Sequence, residues 1–509
     1  ESHSDTTMSN INKVWICSFS QNQELTMTVE QYLSEIKQLH HFMDDRTGKS
    51  LDTEKVLEAR KEELSEVRKH RVYKKVPIEQ CIEKTGRRPV GTRWVDINKG
   101  DDVNPNYRSR IVAQVFNNHK RDDLFAATPP LEAIKMLLSC AVTERIGYKD
   151  EVTKGMKLDF IDVRRAYYHA DALREVYVAL PPGDEEEGMC GLLVKSLQGT
   201  RDAAQNWEAA YTKCLVTNGF TQGKSTPCMF YHRERELRVV VHGDDFTLLG
   251  NESDLDWFRG VIQKTFEVTF RGRIGPGRRD QKSIKLLNRV IEWNDLGISY
   301  EADQRHADMI VGMLGYKVGE SKSLKVPGEK FILGEDETPL PSAEATQFRA
   351  IVARANYLAQ DRSDIMFAVK ELTRHMASPS VGSWSLLKRL GRYLLGAPRV
   401  SLQFDYQGKY KHVDVWTDSD WAGDRLQRKS TSGGVVRLGN HSVKMWSSTQ
   451  KSIALSSGEA EFYALVKGGS IGIGIVSMLG DLGIVVDSRM HISTDSSAAK
   501  GICSRRGLG

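Results

Sequence analysis

Cysteine is scarce in this chain: seven occur in 509 residues, at 17, 81, 140, 190, 214, 228 and 503, and none are in Cys-x-x-Cys spacing. That dispersal excludes a disulfide framework and a cysteine-based zinc site, and it fits a reducing compartment. Long apolar runs are also missing, none approaching the ~20 residues of a membrane helix, so no membrane contact is expected. The first residues lack both a Met and an apolar signal core, so secretion is not indicated. The sequence reads as a piece of a longer polypeptide. A strong excess of one charge is absent too, with 72 basic and 67 acidic residues giving +5. Net charge alone therefore names no partner, but basic residues cluster at Arg87-Arg88, Arg108/Arg110, Arg164-Arg165, Arg271 to Arg279 and Arg505-Arg506. Hydrophobic content of 40% and charged content of 27% describe a globular chain, long enough for two to four domains.

What is present begins with Leu237 to Leu249, two apolar runs joined by His242-Gly243-Asp244-Asp245. The runs predict the strands of a hairpin, and Gly243 supplies the positive φ of its turn. Adjacent acids converge only where the backbone turns, so Asp244 and Asp245 would repel one another at a tip unless a divalent cation sits there. Magnesium accepts two or three carboxylates and keeps its waters. Lys157 to Asp162 predicts a second apolar strand ending in an acid. Alone, Asp162 reads as a helix N-cap; beside the hairpin it reads as the third ligand. Asp159 is the competing acid and reads as structural. Arg108 and Arg110 alternate with a strand period, which puts two guanidinium forks on one face, suited to a triphosphate.

The remaining pattern predicts two peripheral helices within 24–70, strands at 90–97 and 107–116, and a helix at 131–142 after Pro129-Pro130. A helix at 200–218, another at 254–266 and a flexible Gly/Arg loop at 271–281 follow. Helices at 344–359 and 382–396 precede a β-rich stretch to about 448, and the chain turns helical from Ser456. A second acid set lies in that last part. Asp414, Trp416 and Asp418 share a strand face; Ser456 and Glu459 have capping-box spacing; Asp495 ends a strand before a helix. Capping is the plain explanation for Glu459. Strand Asp, helix Glu and strand-end Asp nevertheless make the skeleton of an RNase H site.

Phe160 to Ala170, Glu175 to Gly183, Leu193 to Trp207 and His242-Gly-Asp-Asp245 resemble the palm motifs of copia-type retrotransposon reverse transcriptases. Val90 to Val95 and Tyr107 to Ala113 resemble that family's fingers strands, and Tyr357 to Ile365 and Lys388 to Gly396 its connecting region. Thr417 to Asp424, Arg428 to Gly433 and Leu455 to Glu461 resemble its RNase H domain. The resemblance implies an α+β multidomain chain: a right-hand polymerase (fingers/palm, thumb/connection) followed by an RNase H-like α/β domain. Its boundaries would be a helical extension at 1–70, fingers and palm at 71–315, thumb/connection at 316–410 and RNase H-like at 411–509, the last cut before a fourth family acid. It further implies that Asp162, Asp244 and Asp245 bind two Mg2+ (or Mn2+) ions for nucleotidyl transfer, and that Asp418, Glu459 and Asp495 bind metal for cleavage of hybrid RNA. Tyr167 would be the sugar gate against a 2′-hydroxyl, with helix packing as its other use; Gln198 and Gly199 would close the nucleotide pocket. The implied partners are RNA template, DNA primer, RNA–DNA hybrid, dNTPs and other segments of the same polyprotein, in a cytoplasmic particle or the nucleus. Departures are His242-Gly243 before the acids, Gln198 for a more usual Tyr, and Arg164-Arg165. A catalytically silent remnant that only binds nucleic acid is the alternative.

Overall fold

The computed structural model describes residues 42–101, 103–115, 126–149, 151–328, 337–486 and 490–505. The first of the two expected N-terminal helices, and Arg506, lie outside these residues. The chain forms two compact units, one of residues up to 121 with 171–203, the other of 122–170 with 204–509.

In the first unit, a helix over Thr53–Lys69 starts at Asp52, whose carboxylate accepts from the Lys55 backbone N–H at 3.0 Å. Its apolar stripe buries Val56, Leu57, Leu64 and Val67. It is less peripheral than its charged sequence suggests, because Arg60 is drawn inside by Asp96, with Nε to Oδ1 at 3.2 Å. Asp96 belongs to a hairpin of Thr92–Asn98 with Tyr107–Ala113, and Ser109 donates to the same carboxylate at 2.6 Å. A three-stranded sheet of Tyr73–Pro77, Met189–Leu193 and Tyr177–Val178 completes the unit.

The second unit is built on a six-stranded antiparallel sheet. The four strands that matter below are β1 (Lys157–Val163), β2 (Leu237–His242), β3 (Asp245–Gly250) and β4 (Val268–Ile274), and they lie in the order β4-β1-β3-β2, followed by Met229–His232 and Thr221–Gln222. Both faces are buried, which is why β1 and β2 read as nearly continuous apolar runs. Ile161, Val163, Val239, Phe246 and Leu248 pack under Trp207, Tyr211 and Phe258, which come from two covering helices, Ala203–Thr217 and Glu252–Thr265. Leu158, Phe160, Val240 and Leu249 face the helix Leu131–Ala141. A four-residue helix, α1 (Ala166–His169), follows β1 after Arg165 turns the chain with φ of 48°.

Beyond the sheet comes an antiparallel meander of Ser283–Leu286, Arg289–Asn294 and Gly297–Glu301, closed by Ser401–Asp405. Four helices between 304 and 396 have their own core around Phe348, Ile351, Leu387 and Leu390. The last sheet orders His441–Thr449, Thr431–Leu438, β5 (Val413–Ser419) and β6 (Met490–Ser493), with β6 parallel to β5. Its core is continuous with that of helix Leu131–Ala141 and the meander.

Two expectations change here. The 271–281 stretch is not an open loop: β4 runs to Ile274, and Lys282 then donates to the carbonyls of Gly275, Pro276 and Gly277 at 2.8–3.1 Å. The helix α2 (Ser457–Asp481) has the length and apolar character of a membrane span. Its six glycines interrupt the apolar run and hide that character in the sequence. Gly468 and Gly472 let the helix lie on β5, since a Cβ at Gly468 would stand 2.4 Å from Thr417 Cγ2 and one at Gly472 2.9 Å from Val415 Cγ2. Part of its surface is thus used as the cover of a sheet.

Candidate active site

Register decides the first acid cluster. Asp245 pairs directly with Asp162 across β3 and β1, and directly paired residues present their side chains to the same face. His242 pairs with Asp245 across the hairpin, leaving Gly243-Asp244 as a two-residue turn. Gly243 has φ of 63° while Asp244 does not have positive φ, the pattern of a type II′ turn. The turn is tied on two sides. Trp207 Nε1 donates to the Gly243 carbonyl at 2.8 Å, and the Val163 N–H donates to the Asp244 carbonyl at 2.9 Å. Asp162, Asp244 and Asp245 are therefore gathered at one end of the sheet, with Asp245 buried and Asp244 exposed at the tip. Asp159, on the other face of β1, is fully buried and held by Arg259 and by Arg273 Nη2 at 3.0 Å. It is structural, as its position inside the strand suggests.

Arg271, which the sequence marks only as the first member of a basic cluster, reaches these acids. Phe270 pairs with Ile161 and Gly272 with Phe160, so Arg271 is the extra residue of a β-bulge in β4. A bulge re-aims its side chain. Here the guanidinium lies against Asp162, and its Nη1 is 3.2 Å from Asp245 Oδ1. A guanidinium cation thus bridges the paired acids. Burial pushes the His242 imidazole below the ordinary range, Arg289 adds to this, and Asp244 opposes it.

The second cluster corrects one residue. Asp418 and Asp495 gather with Glu461, not with Glu459, their ligand atoms all within 4.8 Å of one another. Glu459 is half-buried in the first turn of α2, accepting from Leu455 N–H at 2.7 Å and from Tyr463 Oη at 2.7 Å, while Ser456 caps the helix. These hydrogen bonds hold its carboxyl below the usual range. Glu461 lies on the buried stripe of α2, which continues through Ala464, Leu465 and Gly468. It accepts from the Ser419 N–H at 2.8 Å. Burial pushes its carboxyl upward; Asp418 and Asp495 add to this, and the Ser419 bond opposes it. Helical periodicity beyond the cap would have found it.

In the first unit, Arg108 and Arg110 share the half-buried face of their strand, opposite buried Ser109 and Ile111. Gln198 and Gly199 meet the end of that strand: the Ala113 N–H donates to the Gln198 carbonyl at 2.8 Å. A Cβ on Gly199, whose φ is 85°, would stand 2.1 Å from the Ala113 carbonyl oxygen. Only glycine allows that approach. Tyr167, on α1 in the second unit, is half-buried and packed against the core above β1.

Residues 80–275 match the family described as reverse transcriptase (RNA-dependent DNA polymerase). The chain is 27% identical over 429 residues to the Retrovirus-related Pol polyprotein from transposon RE2 of Arabidopsis thaliana, covering 82% of this chain and 28% of that protein. It is 26% identical over 475 residues to the corresponding polyprotein from transposon TNT 1-94 of Nicotiana tabacum, covering 87% of this chain and 33% of that one. An Uncharacterized mitochondrial protein of A. thaliana, AtMg00810, is 34% identical over 230 residues, 45% of this chain and 90% of that protein. The chain spans 28–33% of the length of these two polyproteins. It belongs to the family of copia-type retrotransposon Pol polyproteins, and to that family's reverse transcriptase portion.

Proposed function

We propose that the chain is an RNA-directed DNA polymerase with an attached RNase H-like region. Residues 71–315 would serve as fingers and palm, 316–410 as thumb and connection, and 411–509 as the hybrid-cleaving part. The observation that carries this reading is the direct pairing of Asp162 with Asp245 beside the Asp244 turn. The donor set is all carboxylate oxygen, which suits Mg2+. Asp162, Asp244 and Asp245 would hold a pair of ions. Such a pair, when bound, activates the primer hydroxyl and stabilises the leaving oxygen. The chain's own side chains do the rest. Arg271 would neutralise Asp162 and Asp245 in the metal-free chain and compete with the ions for the same carboxylates. Arg108 and Arg110 grip the triphosphate of the dNTP, Gln198 and Gly199 bound the nucleotide pocket, and Tyr167 places a ring against a 2′-hydroxyl. Asp418, Glu461 and Asp495 direct water at the RNA strand of an RNA–DNA hybrid.

A silent remnant that only binds nucleic acid has one observation on its side, the Arg271 guanidinium seated on two of the three acids. Primer extension separates the readings. Given primed RNA template, dNTPs and Mg2+, the wild-type chain should extend the primer. Asp244→Asn should not, while keeping duplex affinity, because phosphate contacts supply most of it. Wild-type protein that extends in neither Mg2+ nor Mn2+ is the remnant.

A further inference from the structure

One cluster has no part in either acid site. β5 and β6 run parallel with Asp414 paired to His491, and His412 stands just before β5. His412 Nε2 is 3.3 Å from Asp414 Oδ1, and His491 Nδ1 is 3.8 Å from the same oxygen. The two imidazoles lie 3.6 Å apart between centroids, tilted by 35°. Every one of the three residues offers a ligand atom within 4.8 Å of the others.

We propose that His412, Asp414 and His491 form a binding site for a borderline divalent transition metal of the Zn2+ class, which staples β6 onto β5. Three observations support it. First, the spacing fits: bonds of about 2.0 Å to a tetrahedral ion put ligand atoms about 3.3 Å apart, and one pair already stands there. Second, the donor set is two imidazole nitrogens and one carboxylate, which suits Zn2+ and its neighbours; Mg2+ takes oxygen ligands. Third, the natural competitor is turned away. Arg437 sits opposite Asp414 in register, yet its guanidinium lies over the Trp416 ring, 5.6 Å from the centroid. Among the described residues the basic groups paired with the Asp414 carboxylate within 4 Å are the two imidazoles.

The site is separate from the second acid cluster. Asp418 lies four residues further along the same face of β5, about 13 Å at a strand's rise. It is also placed to matter. β6 is a four-residue edge strand that pairs with β5 and packs Met490 and Ile492 against α2, and Asp495 follows its last residue by two. A metal clip at the start of β6 orders the segment that delivers Asp495. The site itself does not depend on the polymerase reading, and neither does its test.

The test uses the full chain, stripped with chelator and kept in excess Mg2+ so that the all-oxygen clusters are filled. Titration with Co2+ should give visible d–d absorption that saturates at one equivalent and is displaced by one equivalent of Zn2+. The double variant His412→Gln/His491→Gln should lose that equivalent, and Asp414→Asn should weaken binding by at least about 10-fold. Zn2+ should slow amide exchange over residues 490–493 in the wild type and not in the double variant. If circular dichroism shows the double variant unfolded, His412→Gln alone decides by the same 10-fold criterion. A wild-type chain without the absorption, or variants that keep the wild-type stoichiometry and affinity, would overturn the site.

Discussion

Replacing Arg271 with Gln should uncover the cost of facing carboxylates. Arg271 is 38% exposed, and its partners Asp162 and Asp245 are 22% and 10% exposed, so the contact is partly solvated. Hydrogen bonds to charged groups at such sites contribute about 1.5–3 kcal/mol, and losing this one also leaves two acids face to face across β1 and β3. A loss of about 2 kcal/mol is expected in metal-free buffer. With Mg2+ in place the guanidinium has no such role, so the loss should nearly vanish at saturation. By linkage, Mg2+ should bind the variant more tightly, by roughly 30-fold for 2 kcal/mol. Urea unfolding of wild type and Arg271→Gln, each in EDTA and in saturating Mg2+, reads all four corners of the cycle. Equal destabilisation in both buffers would refute the idea that Arg271 and a cation compete for one place. So would weaker Mg2+ binding by the variant.

Tyr167→Ala should admit ribonucleotides in primer extension, and unchanged sugar selection removes Tyr167 from the gate. Glu461→Gln should cut hybrid cleavage by roughly 100-fold or more, since even residues behind metal ligands cost 10–100-fold. Glu459→Gln should weaken the start of the helix slightly and leave cleavage near wild type; the reverse order would restore Glu459 to the site. His441 is buried, with Nε2 2.7 Å from the Asp405 carbonyl and Nδ1 2.9 Å from Ser139 Oγ. Burial pushes its imidazole below the ordinary range, against the Asp405 carbonyl bond. The unfolded chain then binds the proton first, so stability should fall as pH drops below about 6.5, by up to about 1.4 kcal/mol per pH unit. His441→Gln should flatten that slope in denaturation series between pH 7 and 5, and an unchanged slope would clear His441 of the effect.

Much of the site was legible because its signals are local. Gly243 between two apolar runs announces a turn, and a turn brings Asp244 beside the strand that carries Asp245. An acid ending a third apolar run completes the set, and pairing of β1 with β3 follows from their buried faces. Arg271 was not legible. Its bulge depends on how β4 registers with β1, and Gly272 inside the strand is a local sign of that slip without saying where Arg271 is aimed. Glu459 carries a plain local signal, its cap spacing, which speaks for capping, whereas Glu461 is marked only by the buried stripe of α2 that shows through the following turns. His412, Asp414 and His491 sit far apart in sequence, and only the parallel pairing of an edge strand joins them. α2 misled for another reason: its glycines dilute the apolar run in sequence while serving, in the fold, to let the helix approach β5.

The proposed polymerase site requires Asp162, Asp244 and Asp245 to hold divalent cations together. Fe2+ substituted for Mg2+, with ascorbate and peroxide, cuts a polypeptide backbone where the ion is bound. Cuts should map next to Asp162 and to the Asp244-Asp245 turn, fade with excess Mg2+, and disappear from both places in Asp162→Asn. Cleavage at one of the two places alone, or an unchanged pattern in that variant, would contradict a shared site.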